Sequence, residues 1–227
     1  ERVVLERPDV WNAHAQFQAT DNATLLVQVN RGARFAPNGE RLTRYGPEGN
    51  TLMLLDIHSG ALRPLAVGRP HTTSPTGHEC WLGQTQTVLA TIFRPGQSPL
   101  PGPDPEMGLA PDLGTVITLR ENEAYRQVPS GQVLMHIGST FDGRFYHGDW
   151  IEQDRLVIGS ARTGRAVIVY RDPAASDDCP FDQHSHPHAY LTDNGRWMIF
   201  NSDRTGRPQI YAARIPPALL EEVERGS

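Results

Sequence analysis

Six consecutive residues, Gln183-His184-Ser185-His186-Pro187-His188, carry three imidazoles and an amide in a chain that has nine histidines. Imidazole nitrogens with an amide oxygen suit a divalent transition metal such as Mn, Fe, Ni or Zn. In a regular strand His184, His186 and His188 would share a face, but Pro187 cannot donate to a central ladder. The stretch therefore reads as a loop entering a strand, where Gln183 can fold in beside the rings; the competing reading is a polar surface loop. His78, in Thr76-Gly77-His78-Glu79-Cys80-Trp81, is a second candidate. An imidazole of ordinary pKa, ~6.5, removes a proton near neutral pH, and a preceding Gly lets a ligand approach the backbone. A lone His is also a common structural residue. His136, in Leu134-Met135-His136-Ile137-Gly138-Ser139-Thr140, alternates with apolar neighbours and reads equally as a ligand or as a satisfied buried His. The sequence holds no Gly-rich phosphate loop, no Gly-x-Ser-x-Gly elbow and no Cys-x-x-Cys pair.

Such side chains need a scaffold, and the sequence supplies short β-branched runs between Gly, Pro, Asn and Asp clusters. Examples are Thr24-Leu25-Leu26-Val27-Gln28-Val29, Val88-Leu89-Ala90-Thr91-Ile92-Phe93 and Arg196-Trp197-Met198-Ile199-Phe200. This is an all-β pattern, and it repeats. Phe141-Asp142-Gly143-Arg144-Phe145 and Thr192-Asp193-Asn194-Gly195-Arg196-Trp197 are matching hairpin signals. Ser160-Ala161-Arg162-Thr163-Gly164-Arg165 and Ser202-Asp203-Arg204-Thr205-Gly206-Arg207 both precede a strand. Multi-strand units recurring at roughly 40–60 residues are the sequence signature of a β-propeller. His14, His78, His136 and His186 follow one another by 64, 58 and 50 positions, each just ahead of a strand run. At equivalent starts of innermost strands they would converge on one axial site; otherwise they are four unrelated loop residues. We expect one propeller domain over residues 1–227 with about four blades, interrupted by a Pro-rich exposed insertion loop at 95–111. A short helix is expected at 217–225, with Pro217 in its first turn.

Composition limits the remaining choices. With 21 Gly and 19 Pro in 227 residues, about 18% against a usual ~12%, the excess belongs to turns, while 38% hydrophobic and 21% charged residues are ordinary globular values. All basic residues are Arg, and a net charge of −5 without a basic tract speaks against a nucleic-acid partner. No apolar run reaches the ~20 residues of a membrane span, and the first residues lack the build of a signal peptide. The chain begins with Glu rather than Met, which suggests trimming or a longer parent. Cys80 and Cys179 make one disulfide or two free thiols; a reducing, cytoplasmic setting is the leaning, with the periplasm left open.

Taken together, Gly77-His78-Glu79-x-Trp81, His136-x-x-Ser139-x-x-Asp142-Gly143-x-x-x-x-Gly148-Asp149 and Gln183-x-x-His186-Pro187-His188 resemble the oligogalacturonate lyase family of polysaccharide lyases. Asn201 to Tyr211 is similar to that family's closing blade and His14-Ala15-Gln16-Phe17 to an earlier one, so the resemblance runs from about His14 to Tyr211. It implies a seven-bladed propeller, of which this chain covers about four blades. Three further blades, a second copy or a shorter ring would complete it, and open sheet edges would favour a dimer. It also implies a manganese ion on His136, Gln183, His186 and His188, with His78 as base, acting by β-elimination on uronic-acid oligosaccharides. The family's Arg, in an Asp-Gln-Arg stretch, has no counterpart in Glu48-Gly49-Asn50-Thr51, so Arg44, Arg41 or Arg31 is the expected substitute, Arg44 first. The alternative is a TolB-like propeller that binds a carbohydrate or protein ligand without turnover.

Overall fold

The computed structural model describes residues 3–10, 12–107, 114–150, 155–171 and 186–226. Its strands fall in chain order into successive antiparallel meanders. The first sheet takes β1 (Gln16–Phe17) and β2 (Thr24–Asn30), interrupts itself with the hairpin β3 (Arg34–Phe35) and β4 (Arg41–Thr43), and continues with β5 (Asn50–Asp56) and β6 (Leu62–Pro64). The second holds β7 (Pro75–Trp81), β8 (Val88–Ile92), β9 (Val116–Leu119) and β10 (Arg126–Gln127). The third is β11 (Met135–Ser139), β12 (Tyr146–Trp150), β13 (Arg155–Gly159) and β14 (Ala166–Arg171), and the fourth β15 (Tyr190–Leu191), β16 (Trp197–Ser202) and β17 (Gln209–Arg214). Helix α1 (Pro217–Arg225) follows. The chain is thus nearly all-β, built of blade-like sheets.

Strand chemistry explains why the sheets stack face to face rather than presenting one side to water. β8 is buried along its whole length, and its alternate residues enter different cores. Val88, Ala90 and Ile92 pack with Leu26, Leu52 and Leu54 of the first sheet, while Leu89 packs with Tyr146 and Val157 of the third. β13 divides in the same way. Val157 faces the second sheet, and Leu156 and Ile158 join Met198 and Phe200 of the fourth. Two buried faces per middle strand turn the period-2 alternation into a continuous apolar run, the form these segments take in the sequence.

Polar links fix neighbouring sheets at their inner strands. The Gln16 side-chain amide donates to the Glu79 carbonyl (2.8 Å), and the Trp81 indole donates to the Gln16 carbonyl (3.0 Å). Ser139 Oγ donates to the Trp81 carbonyl (2.8 Å) and accepts from the Gly83 amide (2.9 Å). The Phe141 amide donates to Asp193 Oδ1 (3.0 Å), joining the third and fourth sheets. Gly83 lies against Gly143 so closely that a Cβ would come within 2.3 Å of the Gly143 nitrogen. α1 closes the outer side of the last two sheets: Val223 is fully buried, Thr163 donates to its carbonyl (2.7 Å), and Arg144 grips Glu224.

Because each sheet is a meander, the starts of inner strands β7 and β11 lie at the same end as the connections between second and third strands. Two of those connections are long. The first carries β3 and β4, and the second is the Pro-rich segment. Its described part, 93–107, contains no strand, yet it is not exposed throughout: Leu100 is buried against Gly49, and Arg69 donates to the carbonyls of Pro101 (2.6 Å) and Gly102 (3.2 Å). An apolar anchor and a guanidinium clamp explain how a segment without ladder bonds keeps one path.

Candidate functional site

The inner strands begin with an unusual backbone. His14, Gly77, His136 and His188 all have positive φ, at 44°, 92°, 38° and 41°, and each stands just before or at the start of its strand. The left-handed region is uncommon for residues other than Gly and costs on the order of 1–3 kcal/mol. The ladder shifts register here, between Pro75 and Glu79 in β7 and between Met135 and Gly138 in β11, and such bulges re-aim side chains. The equivalent positions are therefore His14, Gly77, His136 and His188. The expected set of His14, His78, His136 and His186 is out of register at two of its members: His78 follows the left-handed residue of its blade by one, and His186 precedes its own by two.

The bulges bring the rings together. His136 lies 4.6 Å from His78, 5.3 Å from His186 and 3.6 Å from His188, centroid to centroid. One ring nitrogen from each of His136, His186 and His188 lies within 4.8 Å of the others, a spacing in which the three could share one ion. Gln183 lies outside the described residues, as does Cys179; Cys80 is a free thiol. Arg44 is exposed beyond β4, over the ring of Tyr45, and is not among the residues lining the histidine opening. Arg31 is committed elsewhere, donating through Nε to the Gly49 carbonyl (3.1 Å).

The rings of His136, His78 and His14 each meet a side chain through one nitrogen. Asp149, fully buried on β12, accepts from His136 Nδ1 at 2.9 and 3.0 Å and from the His188 amide at 2.9 Å. A carboxylate on Nδ1 draws the proton of the neutral ring to that nitrogen, the tautomer whose Nε2 can ligate a metal. Thr76 Oγ1 lies 3.2 Å from His78 Nδ1, within a chain of hydroxyls that continues to Thr91. Burial, reinforced by the neighbouring His136, lowers the His78 imidazole to about 4, so its ring is neutral at physiological pH. His14, by contrast, is raised by Glu79, whose buried carboxylate lies 3.3 Å from its Nδ1.

Asp149, Glu79 and Thr76 stand within the sequence motifs, but their residue types alone assign them no role. A repeat signal could have found Asp149: Gln28 and Asn201 make their backbone bonds opposite the residue before His14 and His188, as Asp149 does opposite Met135. The second strand of three sheets thus places a polar residue behind the left-handed one.

No family model matches the chain. Over 112 residues, 42% of this chain, it is 26% identical to a protein from Dickeya dadantii, covering 29% of that protein. This chain is similar to oligogalacturonate lyase. A solved oligogalacturonate lyase structure from Vibrio parahaemolyticus aligns with 87% of this chain and 64% of its own, at 17% identity and a TM-score of 0.47. An auxiliary nutrient binding protein from Bacteroides thetaiotaomicron aligns with 90% of this chain and 41% of its own, at 9% identity and a TM-score of 0.42. The chain therefore spans less than a third of the curated oligogalacturonate lyase it matches. The motifs that resemble that family and the sequence comparison agree on one family name.

His147, on β12 behind the cluster, makes the site sensitive to acid. A Cβ on Gly138 would come within 2.4 Å of its ring, so the two pack without space between them. Burial lowers its imidazole to about 4, outweighing a backbone hydrogen bond with Ala189 and the charge of Asp149. The folded value lies below the unfolded ~6.5, so between the two the unfolded chain holds a proton that the folded chain lacks. The stabilisation is complete above pH ~6.5 and is lost as pH falls towards 4, by about 3 kcal/mol at most. The urea midpoint is expected to drop between pH 7 and pH 5, and His147→Gln to reduce that drop without abolishing it, since burial lowers His78 in the same way. A midpoint constant over the range would contradict the assignment.

Proposed function

We propose that the chain carries the metal centre and base of a metal-dependent lyase that cleaves short uronic-acid oligosaccharides, oligogalacturonate-like, by β-elimination. The observation that supports this most is the meeting of three metal-competent imidazoles with a fourth, neutral one, His78, which is held by Thr76. The ion, manganese or another divalent transition metal, would rest on His136, His186 and His188, with the oxygen of Gln183 as the fourth donor implied by its motif. The described donors fit such an ion: all are imidazoles, and His136 is fixed in the ligating tautomer by Asp149.

When bound, a divalent ion stabilises negative charge that develops on a carboxylate beside the reacting carbon. His78 then does the proton chemistry. Its Nε2 takes the proton from the carbon next to the carboxylate, and the electron pair becomes the new carbon–carbon double bond. The bond to the glycosidic oxygen, β to the carboxylate, breaks as a result, and that oxygen leaves with a proton from solvent or from His78. A base near pKa 4 is weak, so the acidity of the substrate carbon must be raised by charge stabilisation, which couples the two halves of the site.

Mn²⁺ titrated into the protein is expected to bind one ion per chain, and His186→Ala to weaken that binding by an order of magnitude or more. His186 is exposed, so its loss leaves the fold intact. Wild-type protein that binds no Mn²⁺, Zn²⁺ or Ni²⁺ in calorimetry would sink the metal centre.

A further inference from the structure

One pair of side chains in the wall of the histidine opening has no part in the chemistry above: His14, ahead of β1, and Glu79 of β7. The Glu79 side chain is fully buried, and His14 Nδ1 lies 3.3 Å from its Oε1. Among the described residues neither Glu79 oxygen accepts a hydrogen bond from any other group. A buried carboxylate is costly without a counter-charge, so this contact holds His14 as an imidazolium. The pKa of His14 is raised accordingly, first by Glu79, with a smaller contribution from the Gly77 backbone. An imidazolium donates from both nitrogens, and with Nδ1 turned to Glu79 the second donor is Nε2–H. The His14 side chain is 37% exposed and lines the same opening as His78, which puts it within reach of a ligand bound there.

Position matters as much as charge. The first and third sheets pack on opposite faces of the second, so His14 and His136 flank His78 from its two sides. The His136 ring lies 4.6 Å from that of His78. On the other side, His14 Cε1 comes within 3.8 Å of the point that a Cβ on Gly77, the residue before His78, would occupy. In a β-elimination the reacting groups follow one another in a fixed order: the carboxylate, the carbon that loses its proton, then the carbon that bears the leaving oxygen. With the carboxylate at the convergent imidazoles and the proton at His78, the leaving oxygen falls on the side of His14.

We infer that His14, held by Glu79, is the acid that protonates the departing glycosidic oxygen. The inference rests on the lyase reading and deepens it by naming the source of that proton. His78 takes the proton from carbon, the electron pair forms the double bond, the carbon–oxygen bond breaks, and the oxygen takes the Nε2 proton of His14. His14 ends neutral and His78 protonated, and exchange with solvent restores both. Glu79 is a positioning residue: it keeps the His14 ring in place and charged without touching the sugar.

The test compares two leaving groups on Mn²⁺-loaded wild type, His14→Asn and Glu79→Gln. One substrate is digalacturonate; the other is a galacturonate methyl glycoside with fluorine in place of the O4 sugar, which departs as fluoride and needs no proton. Asn tolerates the left-handed backbone that His14 adopts, and the urea midpoint of each variant verifies its fold. His14→Asn is expected to slow elimination from digalacturonate by about 10² or more, the usual contribution of a positioned acid, and from the fluoride within a few-fold. Glu79→Gln should show the same pattern at smaller size, and Mn²⁺ affinity should match wild type in both. Digalacturonate turnover unchanged in His14→Asn, or both substrates slowed equally, overturns the acid and leaves the lyase reading standing. A wild type that eliminates from neither substrate sinks the lyase reading and the acid with it.

Discussion

His78→Ala is expected to lower the elimination rate on galacturonate oligomers by about 10²–10⁴, the usual contribution of a positioned general base. The ring lies 4.6 Å from that of His136, close enough for a substrate carboxylate on the ion to place its neighbouring carbon within reach. His78 is not one of the three residues whose nitrogens converge, so Mn²⁺ affinity should stay within a few-fold of wild type. That combination separates a base from a ligand. The rate is read from the ultraviolet absorbance of the conjugated product, and ion binding from calorimetry on the same preparation. A variant that keeps wild-type turnover would remove His78 from the chemistry. One that loses its ion would make it a ligand instead.

The second large effect concerns Asp149. Its carboxylate is fully buried, holds His136 through Nδ1 and fixes the His188 backbone through the amide, so it positions two of the three convergent imidazoles. Partners behind metal-ligating histidines typically contribute 10–100-fold in affinity. Asp149→Asn keeps the shape but cannot accept both bonds with charge, and a loss of that size is expected in Mn²⁺ titrations, with activity recovered in part at high Mn²⁺. Asp149→Ala should cost more, about 1–3 kcal/mol of stability for each donor left unpaired, because the His136 nitrogen and the His188 amide then lose their buried partner. Mn²⁺ affinity unchanged in Asp149→Asn would show that His136 needs no carboxylate behind it.

Much of the architecture was legible because it rests on short-range rules. The strand runs around Leu26, Leu89 and Met198 lie in buried β2 and β8 and half-buried β16, and the Asp-Gly and Asn-Gly signals at 142–143 and 194–195 fall in turns. What was not legible depends on register. Counting positions from His14 led to His78 and His186, whereas the backbone makes Gly77 and His188 equivalent, since a bulge adds a residue that spacing alone does not reveal. The carboxylates were hidden for a related reason: Asp149 acts on His136 from the neighbouring strand, and Glu79 acts on His14 across two sheets. Among arginines, proximity in sequence to the resembling family's Asp-Gln-Arg position favours Arg44, which stands exposed beyond β4 and outside the residues lining the histidine opening.

An ion and His78 must act on one uronate for the proposed elimination to occur. The most direct measurement follows the ultraviolet absorbance of galacturonate oligomers mixed with the protein, once with Mn²⁺ and once after chelation. Absorbance that rises with Mn²⁺, stops on chelation and returns on adding the ion back is the predicted result. Elimination that continues undiminished in the chelated protein, or no elimination by protein shown to hold its ion, would contradict it.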